Sequence, residues 1–133
     1  MIKSIIELRT EKNMEMISIT QEVQSFVLKY RIQNGKVHIF VPHTTAGITF
    51  NENADPSVQY DMNKAMAEVF PTSLNMMHNE GNSHAHLMSS IIGVSLDVFV
   101  ENGKVVLGTW QGIYFWEFDG PRTRNYYIIH ENE

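Results

Sequence analysis

With 133 residues and a formal charge of −5, the chain has room for one domain with a real core and no electrostatic reason to bind a polyanionic backbone, so nucleic acid is not an expected partner. It contains no cysteine, which excludes disulfides, thiolate metal ligands and thiol nucleophiles and fits a reducing interior; the cytoplasm is the expected compartment. No apolar run approaches the ~20 residues needed to span a bilayer, and the N-terminus lacks the pattern of a cleaved secretion signal, so a soluble, unprocessed protein without a membrane partner is expected.

Ser4–Leu8 and Met14–Ile19 are β-favourable runs separated by the polar Thr10-Glu11-Lys12-Asn13, a pattern that predicts a hairpin. From Thr20, read as an N-cap, Val23, Phe26, Val27 and Tyr30 follow helical spacing, and Asn34-Gly35 supplies the stop. Lys36–Val41 alternates, with Val37, Ile39 and Val41 on one side and His38 and Phe40 on the other. Ala46–Asn51 alternates again after the His43-Thr44-Thr45 turn. Asp55-Pro56 predicts a helix start, continued by Val58, Met62, Ala65, Met66 and Val69 and ended by Pro71. Leu87, Met88, Ile91 and Ile92 fit a short helix capped by Gly93, with a strand as the competing reading. The remainder reads as strands: Ser95–Val100, an Asn102-Gly103 turn, Lys104–Phe118 as a single strand, an Asp119-Gly120-Pro121 turn, and Asn125–His130. The fold class that follows is α+β, a single domain over residues 1–133 of mostly antiparallel sheet with two to three helices. Gly108–Phe118 is apolar on both faces, which predicts a strand buried between layers or covered by a second subunit.

The chemistry concentrates in three places. Three of the six histidines, His78, His84 and His86, fall within nine residues of a Gly/Asn/Ser-rich segment that includes Asn79. Histidine is the commonest metal ligand and titrates near neutrality, so His84 and His86 with His43 from the earlier turn are candidate ligands, and His78 is a possible fourth. Solvent-exposed or singly hydrogen-bonded side chains are the plainer explanation, and they are favoured for His38 and His130. Glu52, between a strand and a capped helix, is a candidate general acid/base or a partner that orients a histidine, whereas Asp55 already has work as a cap and Asp61 reads as solvated. Arg122 and Arg124 flank a turn and form either an anion clamp or ordinary edge-strand charges. Gln111, inside an apolar run, needs a partner for its amide, either substrate or backbone.

Taken together, His43-Thr44-Thr45-Ala46-Gly47-Ile48-Thr49, Asn51-Glu52-Asn53-Ala54-Asp55-Pro56 with Asp61, Gly81-Asn82-Ser83-His84-Ala85-His86-Leu87, and Gly108-Thr109-Trp110-Gln111 with Glu117-Phe118-Asp119-Gly120-Pro121-Arg122 resemble the YjbQ-like family, also labelled secondary thiamine-phosphate synthases. The resemblance implies a homotrimer with the motif residues near a subunit interface, and a divalent metal ion, zinc or magnesium/manganese, held through histidines. It implies a weak condensation of a pyrimidine diphosphate with a thiazole phosphate that releases pyrophosphate. Glu52, His86 and Gln111 would then be catalytic, and Thr44, Asn82, Arg122 and Arg124 would bind a small phosphorylated or anionic molecule. His43, His84 and His86 would hold the metal. Established thiamine-phosphate synthases are (β/α)₈ barrels, typically ~250 residues long, so any shared activity here stands on a different fold. The alternative from another class is a non-catalytic binding or regulatory module for a small anionic metabolite at an inter-subunit site.

Overall fold

The computed structural model describes residues 1–73, 76–78 and 80–131; Asn79 of the histidine-rich segment lies outside them. The elements run β1 (Ile2–Arg9), β2 (Glu15–Ser18), α1 (Thr20–Lys29), β3 (Gly35–Phe40), β4 (Ala46–Glu52), α2 (Pro56–Val69), α3 (Ser83–Ile92), β5 (Ser95–Glu101), β6 (Lys104–Val105), β7 (Gln111–Glu117) and β8 (Thr123–His130). They form a five-stranded sheet in the order β1-β8-β3-β5-β6 and a three-stranded sheet in the order β2-β7-β4, with antiparallel pairing throughout. This is the α+β architecture expected, with three helices. Among the described residues no helix is long and apolar enough to cross a membrane.

The main core lies between the sheets. Val37, Ile39 and Val41 meet Val98, Val100, Tyr126 and Ile128 from one sheet, Ile48, Ile113 and Phe115 from the other, and Val23, Phe26 and Val27 of α1. A second cluster, Ala85, Met88, Trp116 and Phe118, fixes α3 on the far face of the three-stranded sheet, with Met62 and Met66 of α2 against it. Asp55 caps α2 as its sequence predicts, accepting from the Ser57 N–H at 2.9 Å. Gly93 is the C-cap of α3 with φ 94, and Asn102-Gly103 turns between β5 and β6 with φ 52 and 76.

Several expectations are corrected. β1 and β2 do not form a hairpin: β1 pairs with β8 and β2 with β7, so the polar segment between them carries the chain from one sheet to the other. Thr20 is not the cap of α1 but its first helical residue, and its Oγ1 accepts from the Ile113 N–H at 2.9 Å, tying the helix to β7. Lys104–Phe118 is not one strand. It breaks after Val105 and resumes at Gln111 in the other sheet, because the two ends of the run face different cores. Trp110 therefore falls in the connection, 63% exposed, while Ile113 to Phe118 are buried.

Candidate functional site

Each end of β7 and β4 collects different groups. At the C-terminal end of β7, Glu117 is fully buried and meets Arg124, itself 4% exposed, from the start of β8. Arg124 Nε donates to Glu117 Oε1 at 2.8 Å, and its Nη2 donates to Glu117 Oε2 and to Thr45 Oγ1 and O. Glu117 also accepts from Thr10 Oγ1 at 2.8 Å and from the N–H groups of Phe118 and Asp119. Burial alone would raise this carboxyl, but the bonds from Arg124, Thr10 and Asp119 and the guanidinium charge outweigh it and hold the pKa below its ordinary value.

Above this pair stands a second layer. Asp119 Oδ2 accepts from Arg122 Nη2 and from Asn82 Nδ2, both at 2.8 Å, and Arg122 Nε donates to the Asp119 carbonyl at 2.9 Å. Asn82 opens α3: its carbonyl accepts from the N–H groups of Ala85 and His86, but its side chain caps nothing. Because Asp119 fixes the orientation of the amide, Asn82 Oδ1 is a buried acceptor without a partner among the described residues. The N–H groups of Ser83 and His84, in the first turn, have no intrahelical acceptor.

His43 stands beside this network, half-buried, with Nε2 3.0 Å from both the N and the O of Asn125. Its pKa is lowered by burial and by the charge of Arg124, so the neutral ring is favoured. In one neutral tautomer Nε2 donates to the Asn125 carbonyl, and in the other it accepts from the Asn125 N–H. Either way Nε2 is engaged by the Asn125 backbone.

α3 reaches this end because it lies along β4. Ser89 Oγ donates to the Ala46 carbonyl at 2.7 Å and the Ile48 N–H donates to the Gly93 carbonyl at 3.1 Å. The approach is close enough that a Cβ on Gly47 would stand 2.9 Å from Gly93 O. One turn before Ser89, His86 is half-buried, with its ring centroid 5.4 Å from that of His78. His84 and His78 line a small pocket with Met76 and Pro71.

Glu52 and Gln111 lie elsewhere. They are register partners at the opposite end of the three-stranded sheet. From Ala46 to Glu52 a strand rising about 3.4 Å per residue covers roughly 20 Å, so neither side chain shares a site with His86 or Arg122 of the same chain. Gln111 is exposed rather than buried. It is the first residue of β7, and its Oε1 accepts from the Gly108 N–H at 2.8 Å, which closes the preceding turn. Thr44 is exposed at the near end, beside the buried Thr45.

Among the described residues no group of three His, Asp or Glu side chains stands close enough to hold a metal ion. His43, His84 and His86 of one chain are therefore not gathered into such a group. The site groups that sequence reasoning passed over are Glu117, Asp119, Thr45 and Thr10. Glu117 gave a signal of its own, as the lone charge at the end of the apolar run Ile113–Phe118.

Residues 4–132 match the model of the family described as UPF0047 protein YjbQ-like. The chain belongs to this family. The UPF0047 protein YugU of Bacillus subtilis is 54% identical over 129 residues, covering 96% of this chain and 97% of that one. The UPF0047 protein MJ1081 of Methanocaldococcus jannaschii is 47% identical over 122 residues, covering 92% and 88%. A crystal structure of an uncharacterised YjbQ/UPF0047 protein from Clostridium acetobutylicum superposes with a TM-score of 0.93 at 47% identity, covering 95% of this chain and 98% of that one. A hypothetical protein from Aeropyrum pernix superposes at 0.94 with 34% identity over the whole of both chains. The YjbQ-like fold thus spans the whole domain, including both ends of β4 and β7.

Proposed function

We propose that this YjbQ-like protein handles a small phosphorylated or otherwise anionic metabolite at the first turn of α3. The observation that carries the reading is the start of α3, where the Asn82 side chain is held by Asp119 and does not cap the helix, so the first-turn N–H groups have no side-chain cap among the described residues, close to Arg122 on the same Asp119 carboxylate. A phosphate monoester or a pyrophosphate offers acceptor oxygens to those N–H groups. Arg122 binds the charge from the solvent side, and Thr44 lies at the rim. Arg124 acts indirectly, since its fork holds Thr45 and Glu117 and so positions the His43 corner. The chemistry suits a pyrophosphate-releasing condensation of the secondary thiamine-phosphate synthase type, in which the leaving group carries the charge that Arg122 and the helix terminus meet.

Glu52, the carboxylate read as general acid/base, stands at the other end of β4 in one chain. Our reading therefore includes a homotrimer in which Glu52 and Gln111 of one subunit approach His86 of the next. A zinc or magnesium/manganese ion belongs to the reading only where copies share its ligands. The same separation favours a second reading, a binding or regulatory module, because a lone chain has anion-binding groups without a catalytic carboxylate near them.

Titration with pyrophosphate and inorganic phosphate, followed by NMR, tests the site. Binding that weakens tenfold or more in Arg122→Ala and Asn82→Ala is expected, and a parent protein that binds neither anion overturns it. Offering a pyrimidine diphosphate with a thiazole phosphate then separates the readings: pyrophosphate release that Glu52→Gln abolishes marks the enzyme, and binding without release marks the module.

A further inference from the structure

β1 is the terminal strand of the five-stranded sheet, and the edge facing away from β8 is unpaired among the described residues. It carries no proline, and its exposure alternates cleanly: Lys3, Ile5, Glu7 and Arg9 are exposed, while Ile2, Ile6 and Leu8 pack on the core. Ile5 is 56% exposed in the middle of the strand. A regular strand of this kind is a template for pairing.

The residues along this edge are complementary to themselves in reverse. An antiparallel copy of β1 centred on Ile5 sets Ile5 against Ile5, Lys3 against Glu7 and Glu7 against Lys3 on the exposed face. Ile2 then opposes Leu8 on the core side. The neighbouring helix repeats the pattern. α1 borders the same edge across an open groove formed by Ile5 and Ile6 of the strand and Glu22, Ser25, Phe26 and Lys29 of the helix. Glu22 and Lys29 stand two helical turns apart, about 10 Å, with Ser25 and Phe26 at their midpoint beside Ile5. A two-fold axis through Ile5 therefore serves strand and helix at once, and brings Glu22 of one copy towards Lys29 of the other.

We infer that the β1 edge with its α1 flank is an interface for a second copy of this chain, joined antiparallel about Ile5 into a continuous ten-stranded sheet. The contact is isologous and closes on itself, which leaves no free edge at the junction. It is independent of the ligand site: added to a trimer it gives six copies, and without one it gives two.

Charge reversal tests the register. Lys3→Glu and Glu7→Lys each place like charges opposite one another, whereas the double variant restores the pairs. By sedimentation velocity, each single variant is expected to form half-mass particles, with the dissociation constant raised about tenfold or more, and the double variant to recover the parent mass. Ile5→Cys introduces the only thiol in the chain, placed about 4.5–5.5 Å (Cα to Cα) from its counterpart across an antiparallel pair, so mild oxidation is expected to give a covalent dimer on a denaturing gel. Masses that ignore both single reversals, a double variant that stays dissociated, or an Ile5→Cys chain that remains uncrosslinked would each overturn the inference. If the single reversals fail to fold, as judged by circular dichroism, the cysteine result decides.

Discussion

Glu117 and Arg124, seven residues apart on either side of the Asp119–Pro121 turn, form an ion pair that is 0% and 4% exposed at its two side chains. The pair joins the two sheets where β7 hands over to β8, and through Asp119, which donates its N–H to Glu117, it is linked to Asn82 and Arg122. Removing Arg124 leaves a buried carboxylate without its counter-charge, so Arg124→Met is expected to cost about 3–5 kcal/mol in urea unfolding. Glu117→Leu together with Arg124→Met is expected to cost less than Arg124→Met alone, because no uncompensated charge remains. A double variant less stable than that single variant contradicts this account.

Stability should fall in two stages as the solution is acidified. His43 is lowered by burial and by Arg124, so the unfolded chain takes up its proton first. Its contribution is complete above the ordinary imidazole value of about 6.5 and is lost as pH falls below it. Glu117, held low by Arg124, Thr10 and Asp119 against the effect of burial, contributes fully above the ordinary carboxylate value and loses that contribution as pH falls through the lowered one. Thermal midpoints measured across this range should decline first below about 6.5 and again in the acid region. His43→Gln should remove the first decline and keep the second.

Arg122 separates binding from folding. Its ion pair with Asp119 is at the surface, 49% exposed on the arginine side, and such pairs contribute about 0–1 kcal/mol. Arg122→Ala should therefore leave the unfolding midpoint nearly unchanged while pyrophosphate affinity falls tenfold or more. A large loss of stability would instead make the arginine a structural member of the turn.

A site shared between subunits predicts complementation. Glu52→Gln and His86→Ala, each inactive alone, are expected to regain part of the pyrophosphate-releasing activity when co-expressed as mixed assemblies, since some interfaces then hold both native residues. Mixed assemblies as inactive as either parent variant would count against the shared site.

Gly47→Ala probes how α3 is seated. The added Cβ meets backbone at Gly93 O and the Ile92 side chain at 3.1 Å, so it must push α3 away from β4. A loss of about 1–3 kcal/mol is expected, accompanied by weaker anion binding as the first turn of α3 shifts.

Much of this protein is determined by local sequence. Period-two alternation at Lys36–Val41, the Asp55-Pro56 start of α2, the Asn102-Gly103 turn and the Gly93 cap of α3 each depend on neighbours a few residues away, and each stands where its pattern puts it. The grouping of Asn82 with Arg122 at one place was within reach only as a family resemblance. Tertiary structure decided which strands share a sheet. β1 and β2, like β6 and β7, are adjacent in sequence yet lie in different sheets, because strand pairing is set by which apolar face meets which core and not by the turn between strands. The same long-range choice buried Glu117 with Arg124 and exposed Gln111, and it put Glu52 at the far end of β4 from His86. A residue's charge is written in the sequence; whether that charge is buried, and against what, is a property of contacts between segments that the chain brings together only on folding.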